Sequence, residues 1–213
     1  MPELAIQIKD LKKSYQDVFA LKGVNVDIPK GEFFGLLGPN GAGKTTTINL
    51  VTGLLKANTG TVSLGNNDLT NQPADFIAKS GAARTYQNLR IFTRETVRNN
   101  IRVAQTTLCK SFVSKAFSFF SNSEVGLSDE VDRLMEKFNL THVANKRAAS
   151  LSYGEKKRLE MARALAMRPK ILLLDEPAAG MSPPELDWLT VTINDLRSSG
   201  LAILLVEHHM RLV

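Results

Sequence analysis

Cysteine is nearly absent. A single Cys109 stands among 213 residues, which excludes an internal disulfide framework and a zinc site built on thiols. A lone thiol suits the cytosol. Long apolar runs are also missing: none approaches the roughly 18 residues that a membrane span requires. Met1 to Asp10 has no basic segment followed by an apolar core, so no signal peptide is expected. There are no internal repeats and no low-complexity linker. Charges of one sign never form a block of about five. The formal net charge of +6 therefore reads as a solvated surface with an excess of lysine, in preference to a nucleic-acid or membrane-facing patch. What remains, 43% hydrophobic and 23% charged, is the composition of a globular chain. Its length allows one large domain or one domain with a lobe.

Against these absences one stretch stands out. Gly38, Pro39, Asn40, Gly41, Ala42, Gly43, Lys44, Thr45 and Thr46 fit the spacing of a phosphate-binding loop. The glycines let the backbone turn tightly and leave no Cβ in a ligand's way. The helix expected from Lys44 adds unpaired N–H groups and its positive dipole end. Lys44 can reach β- and γ-phosphates, and the Thr45 hydroxyl can ligate Mg²⁺. Glu32 to Leu37 reads as a buried strand entering the loop, and Ile48, Val51, Thr52 and Leu55 recur at helical spacing after it. Strand, glycine-rich loop and helix are the setting that the motif needs.

Ahead of the loop, Leu4–Ile8 and Val24–Ile28 alternate as half-exposed strands, suggesting an antiparallel flap. Tyr15, expected between them, either offers a π face to a base or is a surface tyrosine. Asn58 to Gly60 reads as a turn into a strand over 61–64, and Arg84 to Tyr86 as a strand ending at Gln87, by itself an ordinary polar loop residue. Asn88 to Ala149 changes to helical period. Thr96 is expected to cap one helix and Ser128 another, the latter carrying Val131, Leu134, Met135 and Phe138. A stripe of Phe112, Val113, Ala116, Phe117 and Phe120 reads as packing inside this lobe, ahead of a partner-facing patch.

Ser152 and Glu155 form a capping box on a helix running to Ala166, with Gly154 leaving its N-terminus open to an anion. Ile171 to Leu174 is an apolar run ending in Asp175 and Glu176, as expected of a central parallel strand whose carboxyl end faces ligand. Asp175 can hold Mg²⁺ and Glu176 can orient an attacking water. Ser182 and Glu185 make a second capping box, with proline at the first helical position. Leu201 to Val206 is another buried strand, and His208 is expected at the same sheet edge as the two acids.

With these pieces in order the chain resembles an ABC-type ATPase, over nearly all of its length. Tyr15 matches the adenine-stacking aromatic, Gly38 to Thr46 the Walker A loop and Gln87 the Q-loop. Leu151 to Glu155 match the family signature, Asp175 and Glu176 the Walker B aspartate and catalytic glutamate. Ala179 to Ser182 match the D-loop, and His208 the switch histidine. Ala83 to Phe92, Ser152-Tyr153-Gly154, Arg158-Leu159-Glu160 and Asp175 to Met181 look like the branched-chain (hydrophobic) amino-acid uptake branch, a pattern shared in part by importers of urea or short amides.

The resemblance implies an α/β fold: a mostly parallel core sheet, an N-terminal antiparallel β subdomain and a helical subdomain inserted at about residues 88–165 of a single domain 1–213. It implies ATP and Mg²⁺ as cofactors, with Thr45, Gln87 and Asp175 at the metal and Lys44, Glu176 and His208 in catalysis. Ser152, Tyr153, Gly154, Glu155 and Ser182 are expected to act in trans across a head-to-tail dimer with an identical or paralogous cassette. Further implied partners are membrane permease subunits and, indirectly, an extracytoplasmic solute-binding protein, with no nucleic acid. The expected place is the cytoplasmic face of the inner membrane. A soluble ABC ATPase of DNA repair or translation is the competing class; such proteins carry paired cassettes or large insertions. Tyr153 and Glu155 depart from the commoner Gly and Gln of the signature, Ser182 from the D-loop Asp, and His209 from the usual acid. The family's domain continues beyond the equivalent of Val213, so a missing C-terminal part is expected.

Overall fold

The computed structural model describes residues 3–106 and 123–207. The chain divides into two compact units, Met1–Gln87 with Pro169–Val213, and Asn88–Arg168.

The first unit opens with strands β1 (Leu4–Tyr15) and β2 (Val18–Pro29), which pair antiparallel. Both run further than their alternating cores suggested, because hydrogen bonding continues past the point where the pattern breaks. Tyr15 therefore ends β1 and does not lie between strands. β4 (Thr59–Leu64) pairs with the other edge of β1, and the short β5 (Asn67–Asp68) completes a sheet of order β2-β1-β4-β5. Thr59 and Gly60 belong to β4, not to a turn. Gly60 is accommodated at φ 93, where an added Cβ would lie 2.4 Å from the carbonyl oxygen of Asp10.

The second sheet is parallel, with order β3-β8-β7-β6, from β3 (Phe33–Leu37), β6 (Ala82–Arg84), β7 (Ile171–Asp175) and β8 (Ala202–Glu207). Every residue of β7 and β8 is buried, as continuous apolar runs require in a sheet covered on both faces. β3 departs from the expected buried strand. It is half-buried, with Leu37 exposed, because it stands at the end of the strand order and pairs with β8 alone among the described strands. β6 lies two residues earlier than expected: Ala82 and Ala83 belong to it, and Thr85 and Tyr86 leave the strand, although the Thr85 N–H still donates to the Leu173 carbonyl at 2.9 Å.

Helix α1 (Lys44–Val51) leaves the loop after β3 and buries Ile48, Leu50 and Val51. These join Ile6, Ile8 and Leu11 of β1 with Leu173, Leu204 and Val206 of the parallel sheet in one apolar core. The short α2 (Ala74–Ser80) has no counterpart in the sequence reading, since seven residues with one buried apolar position carry little periodicity.

In the second unit, α3 (Val97–Gln105) packs on α4 (Ser123–Lys137) and α5 (Tyr153–Ala166). Thr96 caps α3 as expected, its hydroxyl accepting from the Asn99 N–H at 3.1 Å. Ser128 does not stand at a helix start: it lies inside α4, which is already helical at Ser123. Asn100, fully buried, donates to the carbonyls of Phe92 and Thr96 and accepts from the Phe92 N–H. The apolar stripe 112–120 lies outside the described residues.

In the first unit, α6 (Pro183–Ser198) precedes β8 and buries Leu189, Ile193 and Leu196. The Glu185 carboxylate accepts from both the N–H and the hydroxyl of Ser182.

Candidate functional site

The glycine-rich loop is built by left-handed backbone. Gly41 and Gly43 sit at φ 85 and 84, and Gly43 is the N-cap of α1. A Cβ on Gly43 would stand 2.8 Å from the Ala20 carbonyl oxygen, whereas nothing lies within 4 Å of one on Gly41. The loop closes on its own lysine. Lys44 is 6% exposed, and its ammonium donates to the carbonyls of Gly38 at 2.5 Å and Pro39 at 3.0 Å. These bonds satisfy a charge that burial would otherwise penalise. The Thr45 side chain stays exposed beside it.

A cavity of about 280 Å³ opens over this loop, lined by Ala20, residues 40–46 and Glu176. The N-terminus of α1 faces it, so its walls supply backbone N–H donors and the positive end of a helix dipole. Glu176 reaches the cavity by a sharp turn out of the sheet. Its N–H donates to the Val206 carbonyl at 2.9 Å, one residue past the β7 ladder, and its φ of 47 is left-handed. That conformation costs a non-glycine residue on the order of 1 kcal/mol and persists where surroundings impose it. Gln87 donates from Nε2 to Glu176 Oε2 at 2.9 Å, so its side chain meets the acid that follows β7.

Asp175, 3% exposed, is not free-standing. Arg84 donates from Nη2 to its Oδ2 at 2.7 Å, with side-chain exposures of 6% and 4%. Arg84 Nη1 donates to Asn49 Oδ1 at 2.7 Å and Thr52 Oγ1 at 3.1 Å, both at the end of α1. A second buried acid, Glu207, ends β8 and accepts the Ala178 N–H at 3.0 Å, which fixes the loop that follows Glu176. Sequence reasoning missed Arg84, Asn49, Thr52 and Glu207. The signal for Glu207 was available, since an acid ending a wholly apolar strand needs a partner.

Of the other candidates in the first unit, Tyr15 and Ser182 are not among the residues that line the cavity. Tyr15 is 45% exposed at the end of β1, with Lys13 Nζ 5.3 Å from its ring centre. Ser182 caps α6. His208 lies outside the described residues. Ser152, Tyr153, Gly154 and Glu155 belong to the second unit, at the start of α5. There the Ser152 hydroxyl accepts from the Glu155 N–H at 3.2 Å, and Glu155 Oε2 accepts from the Ser152 N–H at 2.8 Å. These bonds hold the Glu155 carboxyl below its ordinary range, the Ser152 backbone N–H contributing most, against burial that raises it; the Ser152 hydroxyl and His142 assist.

A model of the family described as ABC transporter matches residues 21–179. The chain belongs to the ABC transporter family. The match spans the loop, the Asp175–Glu176 strand end and the α5 cap of this ABC protein. It is 38% identical to the high-affinity branched-chain amino acid transport ATP-binding protein BraF of Pseudomonas aeruginosa, over 98% of this chain and 83% of that one. It is 37% identical to the high-affinity branched-chain amino acid transport ATP-binding protein LivG of Escherichia coli, over 100% and 85%. Among solved structures it is similar to an ATP-binding cassette of an ABC transporter in its ADP conformation. The TM-score is 0.82 at 30% identity, over 99% of this chain and 83% of that one. The α/β architecture, with one antiparallel and one parallel sheet, is that of an ABC cassette. Among the described residues no helix is long and apolar enough to cross a membrane.

Proposed function

We propose that this chain binds and hydrolyses ATP to power import of branched-chain or other hydrophobic amino acids through a membrane permease. The cavity over residues 40–46 with Glu176 on its wall carries the ATPase part of this reading. The transport part rests on the likeness to BraF and LivG.

The loop N–H groups of residues 40–46 and the Lys44 ammonium bind the β- and γ-phosphates, Lys44 exchanging its Gly38 and Pro39 carbonyl partners for phosphate oxygens. Tyr15 stacks on the adenine. The donor set suits Mg²⁺: the Thr45 hydroxyl, the Asp175 carboxylate and the Gln87 side chain are hard oxygen ligands, and Mg²⁺ is commonly held by one or two such groups plus substrate phosphates. Among the described residues no cluster of three or more His, Cys, Asp or Glu could hold a metal alone, which fits that mode. When bound, Mg²⁺ would neutralise charge on the phosphates. Glu176 orients the attacking water and takes its proton, released for that task from Gln87, and His208 supports the γ-phosphate. Ser152 to Glu155 of a second cassette, at the N-terminus of α5, close the site in trans with Ser182, and their N–H groups favour the charge that develops on the phosphoryl group.

The test is capture of the tagged protein from detergent-solubilised membranes, followed by mass spectrometry. A polytopic permease, with or without a second cassette, is the expected companion. Ribosomal or DNA-repair proteins with no membrane protein would overturn the transport reading and leave the ATPase chemistry in place.

A further inference from the structure

The buried ion pair between Arg84 and Asp175 is more than a brace for the sheet. We propose that Arg84 is a positioning residue that fixes Asp175 relative to the phosphate-loop helix, and so sets how much divalent cation is needed to tighten nucleotide binding. This rests on the ATP-binding reading above.

One rigid plane spans three elements. Nη2 of Arg84 holds Asp175 Oδ2 at the end of β7, while Nη1 holds Asn49 Oδ1 on α1 and Thr52 Oγ1 at its C-cap. The guanidinium carbon lies 4.8 Å from the Tyr86 ring centre, which restrains the plane. Thr52 is itself anchored, its hydroxyl donating to the Ile48 carbonyl at 2.8 Å. Asn49 follows Thr45 by one helical turn, so the two share a face of α1. The distance between the Thr45 end of α1 and the Asp175 carboxylate is therefore set through Arg84. Only Oδ2 is taken, and a carboxylate has a second oxygen to offer.

Stability does not explain the arrangement. Buried ion pairs tend to be replaceable by apolar groups of similar volume without loss, and apart from their terminal acids, Asp175 and Glu207, the residues of β7 and β8 are apolar. A planar fork that grips two elements at once is what arginine supplies and lysine cannot. Groups that orient a metal's ligands shift metal affinity by about 10–100-fold when removed.

The experiment titrates Mg²⁺ into the full chain with a fluorescent ATP analogue and reads two quantities: the metal-free affinity and the Mg²⁺ concentration that half-completes the tightening. Arg84→Lys keeps the charge and loses the fork. Its metal midpoint is expected to rise about tenfold or more, with metal-free affinity within about twofold. Asn49→Ala cuts one tie to α1 and leaves the ion pair; a rise of about threefold is expected, and this variant decides the matter if Arg84→Lys does not fold. Unchanged midpoints in the folded variants, with only a lower melting temperature, would reduce Arg84 to a structural brace. A wild-type chain that binds no analogue, or binds it as tightly after Lys44→Ala, would instead sink the ATP reading, and this inference with it.

Discussion

Gly41 and Gly43 share one backbone conformation and differ in what surrounds them, so alanine at each separates strain from clash. Their φ angles are 85 and 84. A left-handed alanine costs about 1 kcal/mol at either, a little less after the entropy that alanine removes from the unfolded chain. At Gly43 the new Cβ would lie 2.5 Å from Leu21 Cδ2 and 2.8 Å from the Ala20 carbonyl oxygen. The carbonyl is part of β2 and cannot swing away. Overpacking adds roughly 1–3 kcal/mol, and in a chain of this size each kcal/mol moves the melting temperature by about 2–4 °C. Gly43→Ala should therefore melt on the order of 10 °C below the wild type, and Gly41→Ala only about 3 °C below. Gly41 lines the cavity with open space where its Cβ would go. Its alanine should thus weaken binding of a fluorescent ATP analogue far more than it lowers melting. Gly65, at φ 54 with open surroundings and away from the cavity, provides the control: a melting loss like that of Gly41→Ala and unaltered binding. Equal melting losses at Gly41 and Gly43 would refute the clash. Full affinity in Gly41→Ala would refute the cavity as a phosphate cradle.

Lys44→Ala removes a charged donor from the loop and should weaken nucleotide binding about 10–100-fold, the worth of a charge-assisted hydrogen bond, by equilibrium fluorescence titration. Glu176→Gln keeps the shape and loses the base; phosphate release should fall about 10²–10⁴-fold while analogue affinity holds, and turnover at the wild-type rate would move the base elsewhere. The α5 cap makes stability pH-dependent. The Glu155 carboxyl titrates below its ordinary 4.5 in the folded chain, so its stabilisation is complete above that value and is lost as pH falls through the lower folded one. Glu155→Gln does not titrate; the stability gap between it and the wild type, by urea denaturation, should be present near neutral pH and narrow as pH falls below 4.5 and through the lower folded value.

The features most legible in the sequence are those made by neighbours along the chain. The phosphate loop, the Thr96 cap and the Ser152–Glu155 box are each complete within about ten residues, so spacing alone carries them. Asp175 and Glu176 were legible as the end of an apolar run. What that strand end touches was not: Arg84 and Asp175 meet only because β6 and β7 lie side by side, a fact of sheet order. The same order explains why Phe33–Leu37 reads as a buried strand yet is half-exposed, since hydrophobicity does not tell an edge from a centre. Ser128 misled for the opposite reason. Ser128 is a residue type that favours caps, but a serine inside a helix costs less than about 1 kcal/mol, and α4 runs through it. Glu207 shows that a buried acid can be noticed in advance while its partner, the Ala178 N–H, belongs to a loop that only the fold brings near.

The order of the parallel sheet also bears on how the protein is made. Phe33 pairs with Ile203, about 170 residues later in synthesis; at roughly 5–20 residues per second the strand that leads into the phosphate loop emerges on the order of 10 s before its neighbour. The antiparallel sheet needs nothing beyond Asp68 and can form while the ribosome is still working. During that interval Phe33–Leu37 offers two unpaired edges, the kind of surface that chaperones cover and that strays into aggregates. The nascent loop has no sheet to brace it, and Glu176 has not been translated. The cavity over the loop therefore gains its Glu176 wall only about 130 residues after the loop itself has been made.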